Sequence, residues 1–80
     1  MASHPSSQTR LQIERQARAL SQTRLGSLAN THPGVISRIE SRLVIPSRPQ
    51  RRRLAEALGI LEDELFADFP DRIPLVEIPE

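Results

Sequence analysis

The 80-residue chain has no cysteine, tryptophan, tyrosine or lysine, and only two phenylalanines, Phe66 and Phe69. Without cysteine, no disulfide and no thiolate metal site can hold it together. At this length a single small core is available, which points to tight helical packing helped by self-association. The scarcity of aromatics argues against sandwiches and barrels, and against modules that stack bases on aromatic rings. No apolar run approaches the length of a membrane span. The first nine residues, Met1 to Thr9, carry no apolar stretch of the kind found in secretory leaders. A cytoplasmic location is therefore expected. Catalytic motifs are also missing. His4 and His32 stand alone, away from the carboxylates or thiols of a metal site, and there is neither a phosphate-cradling glycine loop nor a nucleophile elbow. The expectation is a protein that is not an enzyme and that uses no cofactor and no metal.

What the chain does have is charge, unevenly placed. The net charge of +1 conceals a basic front and an acidic back. Residues 1–55 hold ten arginines against Glu14 and Glu40, a local balance of +8; residues 56–80 hold eight carboxylates against Arg72, a balance of −7. The front is an electrostatic footprint for a polyanion, and the back would turn away from it. With every fixed cation a guanidinium, bidentate contact with phosphate or guanine is favoured. Base composition of the source genome would account for the missing lysine equally well.

Short helical patterns cover the middle of the chain. Residues 1–7 read as a frayed tail. A first helix is expected over Gln8–Ala19, with Leu11, Ile13, Ala17 and Leu20 as an imperfect apolar stripe. Ser21 is a good N-cap for a second over Gln22–Ala29, with Leu25 and Leu28 inward. Asn30 suits the left-handed conformation that ends a helix. The third is expected over Pro33–Ser41, with proline in the first turn and Val35, Ile36 and Ile39 inward. After a loop, Ser47 restarts a helix over Arg48–Leu58, closed by Gly59, and a short fifth is expected over Glu62–Ala67. Two short helices joined at Asn30-Thr31-His32 make a helix-turn-helix over residues 21–41, and the second of them, residues 33–41, has the form of a recognition helix for the DNA major groove. Residues 68–80 include three prolines and the apolar Phe69, Ile73, Leu75, Val76 and Ile78, and read as an acidic extended arm that packs on its own domain or on a second subunit.

Three stretches carry a family resemblance: Leu20-Ser21-Gln22 followed by Leu25, Ile36-Ser37-Arg38-Ile39-Glu40, and Pro46-Ser47 followed by Leu54 to Phe66, LAEALGILEDELF. On them, and without insertions from Leu11 to Phe66, the chain resembles the Cro and lambda-repressor helix-turn-helix group, the XRE-like domains. The resemblance implies an all-α, five-helix DNA-binding domain over residues 8–67 with a C-terminal arm. It implies base contacts from Arg38, His32, Pro33, Gly34 and Val35. Phosphate contacts would come from Ser21, Gln22, Ser37, Arg42, Arg48, Arg51 and Arg52. Arg15 and Glu40 match a pair that forms a buried salt bridge in similar proteins. Double-stranded DNA and a second copy of the chain are the implied partners.

The chain departs from the family pattern at Arg42, where glycine is usual, at Arg51, where a core leucine is usual, and at Glu14, another usually apolar place. Leu43-Val44-Ile45 stands where polar residues are usual. These three are expected to refill the core or to form, with Phe69, Ile73, Leu75, Val76 and Ile78, a dimer or partner surface. The main expectation is a homodimeric, sequence-specific regulator, a repressor. The alternative is a protein-interaction module, such as an antitoxin or a polymerase-binding regulator, that keeps the fold.

Overall fold

Short hydroxyl and imidazole side chains set where the first four helices begin. In the computed structural model, which describes residues 8–69, the order is α1 Arg10–Ala17, α2 Gln22–Ala29, α3 Pro33–Glu40, α4 Arg48–Leu58 and α5 Glu62–Leu65, with no strand among the described residues. Thr9, Ser21 and Ser47 each accept a hydrogen bond from the amide three residues on, satisfying a donor that the helix itself leaves unpaired. At Ser47 the cap is reciprocal: the Gln50 side chain accepts from the Ser47 amide at 2.9 Å. That box, with Gly59 at φ +70°, fixes both ends of α4 at the residues expected. Asn30 ends α2 at φ +52°, as its tolerance of the left-handed region predicts.

Two further non-glycine residues take positive φ, Ala19 at +57° and Arg42 at +62°. Each such residue costs about 1–2 kcal/mol relative to glycine, so surrounding contacts must hold it there. At Arg42 those contacts are visible: its amide donates to Ile39 O at 3.0 Å and its guanidinium to the Asp68 carboxylate at 3.1 Å.

The core gathers Leu11 from α1, Leu25 and Ala29 from α2, Ile36 and Ile39 from α3, Leu54, Ala55 and Leu58 from α4, and Leu65 and Phe66. Burial of each large side chain is worth about 1.5–3 kcal/mol. α2 packs on both α3 and α4, and α4 on α5. Several expectations shift. Ile13, Ala17 and Leu28 face solvent, Leu28 at 56% exposure, whereas Ala29 and Thr9 are buried. α1 is shorter than expected because Thr9 caps it and Ala19 turns the chain back. Ser41 and Ala67 fall just outside their helices.

Phe69 is the largest change of place. It lies in the core at 8% exposure, edge-on to Phe66 with ring centroids 5.8 Å apart. Leu43, Val44 and Ile45 do the reverse: they stay on the surface, Leu43 at 74% exposure, so they do not refill the core. The deficit near Arg51 is met instead by Arg51 itself, whose guanidinium lies 5.4 Å from the centre of the Phe66 ring.

Candidate nucleic-acid interface

The turn between α2 and α3 is tight because α2 carries a glycine where the turn crosses it. A Cβ on Gly26 would sit 2.4 Å from Thr31 O and 3.3 Å from Pro33 Cδ. The Thr31 amide donates back to Gly26 O at 2.9 Å, and its hydroxyl donates to Ala29 O at 3.0 Å. Gly26 was not singled out by sequence; an isolated glycine inside a helical pattern was the available signal.

His32 caps α3. Its Nδ1 accepts from the Gly34 amide at 2.9 Å, so the neutral ring keeps its proton on Nε2. A Cβ on Gly34 would meet that ring at 3.0 Å, which makes Gly34 the residue that lets the imidazole fold over the helix start. His32 is exposed, and no described residue accepts from the remaining Nε2–H.

At about 100° per residue, the buried Ile36, Ile39 and Glu40 define the inner face of α3, and Gly34, Ser37, Arg38 and Ser41 form the opposite stripe. The Arg38 side chain is exposed and has no hydrogen-bond or ion-pair partner among the described residues. Of the other expected base contacts, Pro33 and Gly34 are half-buried and lack polar side chains, and Val35 packs partly against the core.

Behind α3 lies a buried ion pair. Arg15 Nε donates to Glu40 Oε2 at 2.7 Å and its Nη2 to Oε1 at 3.0 Å, while Nη1 donates to Leu20 O at 2.7 Å. Gln22, expected at a DNA phosphate, joins this network: its amide nitrogen donates to Glu40 Oε1 at 3.0 Å. One Nε2–H remains, beside the unpaired amides of the first turn of α2. Ser21 is occupied as the cap that receives the Arg24 amide at 2.9 Å, and Ser37 is half-buried on α3. The Arg24 side chain is exposed and without a partner among the described residues; it was not among the expected contacts.

The remaining arginines divide by what they already hold. Arg42 grips the last described turn: Nη2 to the Asp68 carboxylate, Nη1 to Asp68 O at 3.2 Å, and the guanidinium 5.5 Å from the centre of the Phe69 ring. Asp68 also accepts from the Arg10 amide at 2.9 Å, at the start of α1. Arg53 donates to Ala29 O at 3.2 Å and ties α4 to the end of α2. Arg51 is half-buried with its Nε unpartnered, beside a groove of about 350 Å³ where Arg48 and Arg52 face Glu62 and Asp63. Arg48 and Arg52 are exposed. The groove lies between α4 and α5, with no residue of α2 or α3 in its walls. Ile73, Leu75, Val76 and Ile78 lie outside the described residues.

Two packed short helices, a three-residue turn and an outward arginine on the second helix define a helix-turn-helix protein. A sequence model described as the helix-turn-helix domain matches residues 9–68, and the chain belongs to that family. This accords with the Cro and lambda-repressor resemblance and points to a DNA-binding regulator. No curated protein and no solved structure gives a significant match. Among the described residues, no helix is long and apolar enough to cross a membrane, and no cluster of three potential metal ligands occurs.

Proposed function

We propose that the protein is a sequence-specific, double-stranded DNA-binding transcriptional regulator, a repressor that works as a homodimer with α3 in the major groove. One observation carries this reading: the Arg38 side chain, on the outward stripe of α3, is exposed and without a partner among the described residues, while Arg15, behind the same helix, is locked to Glu40. An unengaged guanidinium there can donate two hydrogen bonds to guanine O6 and N7, worth about 1–3 kcal/mol of discrimination. His32 Nε2–H is a second donor at the same helix start. Gln22 and the α2 amides supply a phosphate anchor, with Arg24, Arg48 and Arg52 as further cations. Arg42, Arg51 and Ser21 contribute mainly through the contacts they make inside the domain. Two copies would place their α3 helices one DNA turn apart, about 34 Å. The reading needs no cofactor or metal, and it places the protein on DNA in the cytoplasm.

Selection of bound sites from a random duplex pool, repeated with Arg38→Ala, tests it. The expected result is an enriched palindrome that the variant no longer selects. No enrichment, with weak salt-sensitive binding alone, would favour a protein-interaction module, which the exposed Leu43, Val44 and Ile45 support.

A further inference from the structure

The turn and α3 carry few groups that can read a base, and the fold takes up most of the acceptors among them. Major-groove edges differ in what they offer. Guanine presents the acceptors N7 and O6, thymine the acceptor O4, cytosine only its amino donor, and adenine the acceptor N7 beside an amino donor. A side chain that reads an amino group must supply an acceptor, as a carboxylate or an amide does.

Residues 30–41 contain one carboxylate, Glu40, and one side-chain amide, Asn30. Glu40 is buried, and both its oxygens accept from Arg15 while Oε1 also accepts from Gln22. Asn30 ends α2 and lines a recess with Arg53, Glu56 and Ala57 of α4, in which no residue of α3 takes part. Thr31 is buried, and its hydroxyl donates to Ala29 O. His32 has also lost its acceptor: the Gly34 amide donates to Nδ1 at 2.9 Å, in the space left by the missing Cβ of Gly34. The ring keeps one polar group for an outside partner, the Nε2–H. Arg38 has donors only. Ser37 and Ser41 on the outward stripe each bring a single hydroxyl, which serves either way.

We propose that α3 reads its half-site through base acceptors: guanine O6 and N7 opposite Arg38, and a purine N7, guanine O6 or thymine O4 opposite His32. Neither residue reads the amino edges of cytosine and adenine. This rests on the reading of α3 as the helix in the major groove, and adds to it the class of base. His32 and Gly34 act as a unit: the Gly34 amide fixes the tautomer, so the imidazole is a donor and not an acceptor while it caps the helix.

Sites selected from a random duplex pool test this. The position whose preference is lost with Arg38→Ala should be guanine. Replacing that guanine with 7-deazaguanine, which lacks the N7 acceptor, should weaken binding about tenfold, within the range for one bidentate contact. Inosine, which keeps N7 and O6, should bind nearly as guanine does. Arg38→Gln, whose amide both donates and accepts, should move the preference at that position to adenine. In the free protein, nitrogen NMR of the His32 ring should place its proton on Nε2. Adenine or cytosine at the Arg38 position, no loss with 7-deazaguanine, or a proton on Nδ1 would overturn the proposal while leaving DNA binding in place. Failure to enrich any site would remove the reading of α3 and the proposal together.

Discussion

Arg15 and Arg38 are the same side chain on opposite sides of α3, and their surroundings differ completely. Arg15 is 8% exposed and donates three hydrogen bonds, two of them to one carboxylate. Arg38 is exposed and donates none within the described residues. A guanidinium taken out of water loses several kcal/mol of hydration, which only a bidentate partner with further acceptors can offset. Arg15 therefore serves the position of α3 relative to α1 and α2. Among the described residues nothing replaces the hydration of Arg38. The contrast separates residues that hold the reading helix from the residue offered for reading, and each class should fail differently when changed.

The largest effect should come from Arg15→Ala. It leaves Glu40 buried with Gln22 as its remaining side-chain donor among the described residues, and breaking one side of a buried pair costs about 3–5 kcal/mol. Urea unfolding should show the loss; wild-type stability would mean that the pair does not hold the domain. Gly26→Ala should follow. Alanine is better than glycine in a helix by about 1 kcal/mol, but here its Cβ would lie 2.4 Å from a backbone carbonyl fixed in a hydrogen-bonded turn. Overpacking of this kind costs about 1–3 kcal/mol, so a net loss of about 2 kcal/mol is expected, with weaker DNA binding because the turn must open. A variant as stable as wild type would show that the turn can move freely.

Arg38→Ala should reverse the pattern. Stability should change by less than about 0.5 kcal/mol, as for other surface positions, while affinity for the selected site falls by about 1–3 kcal/mol and affinity for random duplex barely changes. An equal drop on both duplexes would reduce Arg38 to a phosphate contact. Arg48→Ala tests the converse: both duplexes should weaken together and the log–log salt slope should fall by about 0.9. An unchanged slope would place Arg48 with the groove between α4 and α5, away from the DNA backbone.

The parts of this arrangement that were legible in the sequence are those governed by local chemistry. Ser47, Gln50 and Gly59 bracket α4 through backbone capping, and Asn30 ends α2 through its own dihedral preference. The parts that were not legible depend on distant partners. Phe69 follows Asp68 and precedes Pro70, which reads as a departing arm, yet it packs edge-on to Phe66 and beneath the guanidinium of Arg42, 27 positions earlier in the chain. Ile13 and Leu28 carry apolar side chains at positions consistent with an inward face, but the arginine-rich α1 and the short α2 leave too few periodic residues to fix the rotation of either helix. The network that draws Gln22 from a free phosphate anchor onto Glu40 is likewise tertiary. For the site, the sequence supplied the recognition helix and its arginine, and the fold supplied the sorting of the other arginines into holders and donors.

That sorting extends to α1, where the smallest effect is expected. Glu14 stands where an apolar residue is usual in similar domains, and it accepts from Arg18 Nη1 at 2.8 Å and Arg10 Nε at 2.7 Å. The hydrogen bond from Arg18 first, and then that from Arg10, holds its carboxyl below the usual carboxylate range. A depressed folded-state value means that the unfolded chain takes up the proton first as pH falls. The stabilisation is therefore complete above the unfolded value, near 4.5, and disappears as pH drops through the lower folded one. Both arginines are solvent-exposed, so screening leaves little of this energy at ordinary salt. Comparison of wild type with Glu14→Gln should show a small wild-type advantage at pH 7 that narrows as pH falls below about 4.5 and shrinks as salt is added. A pH-independent difference would assign the effect of Glu14 to packing on α1, and would leave Arg10 and Arg18 as cations free for an outside partner.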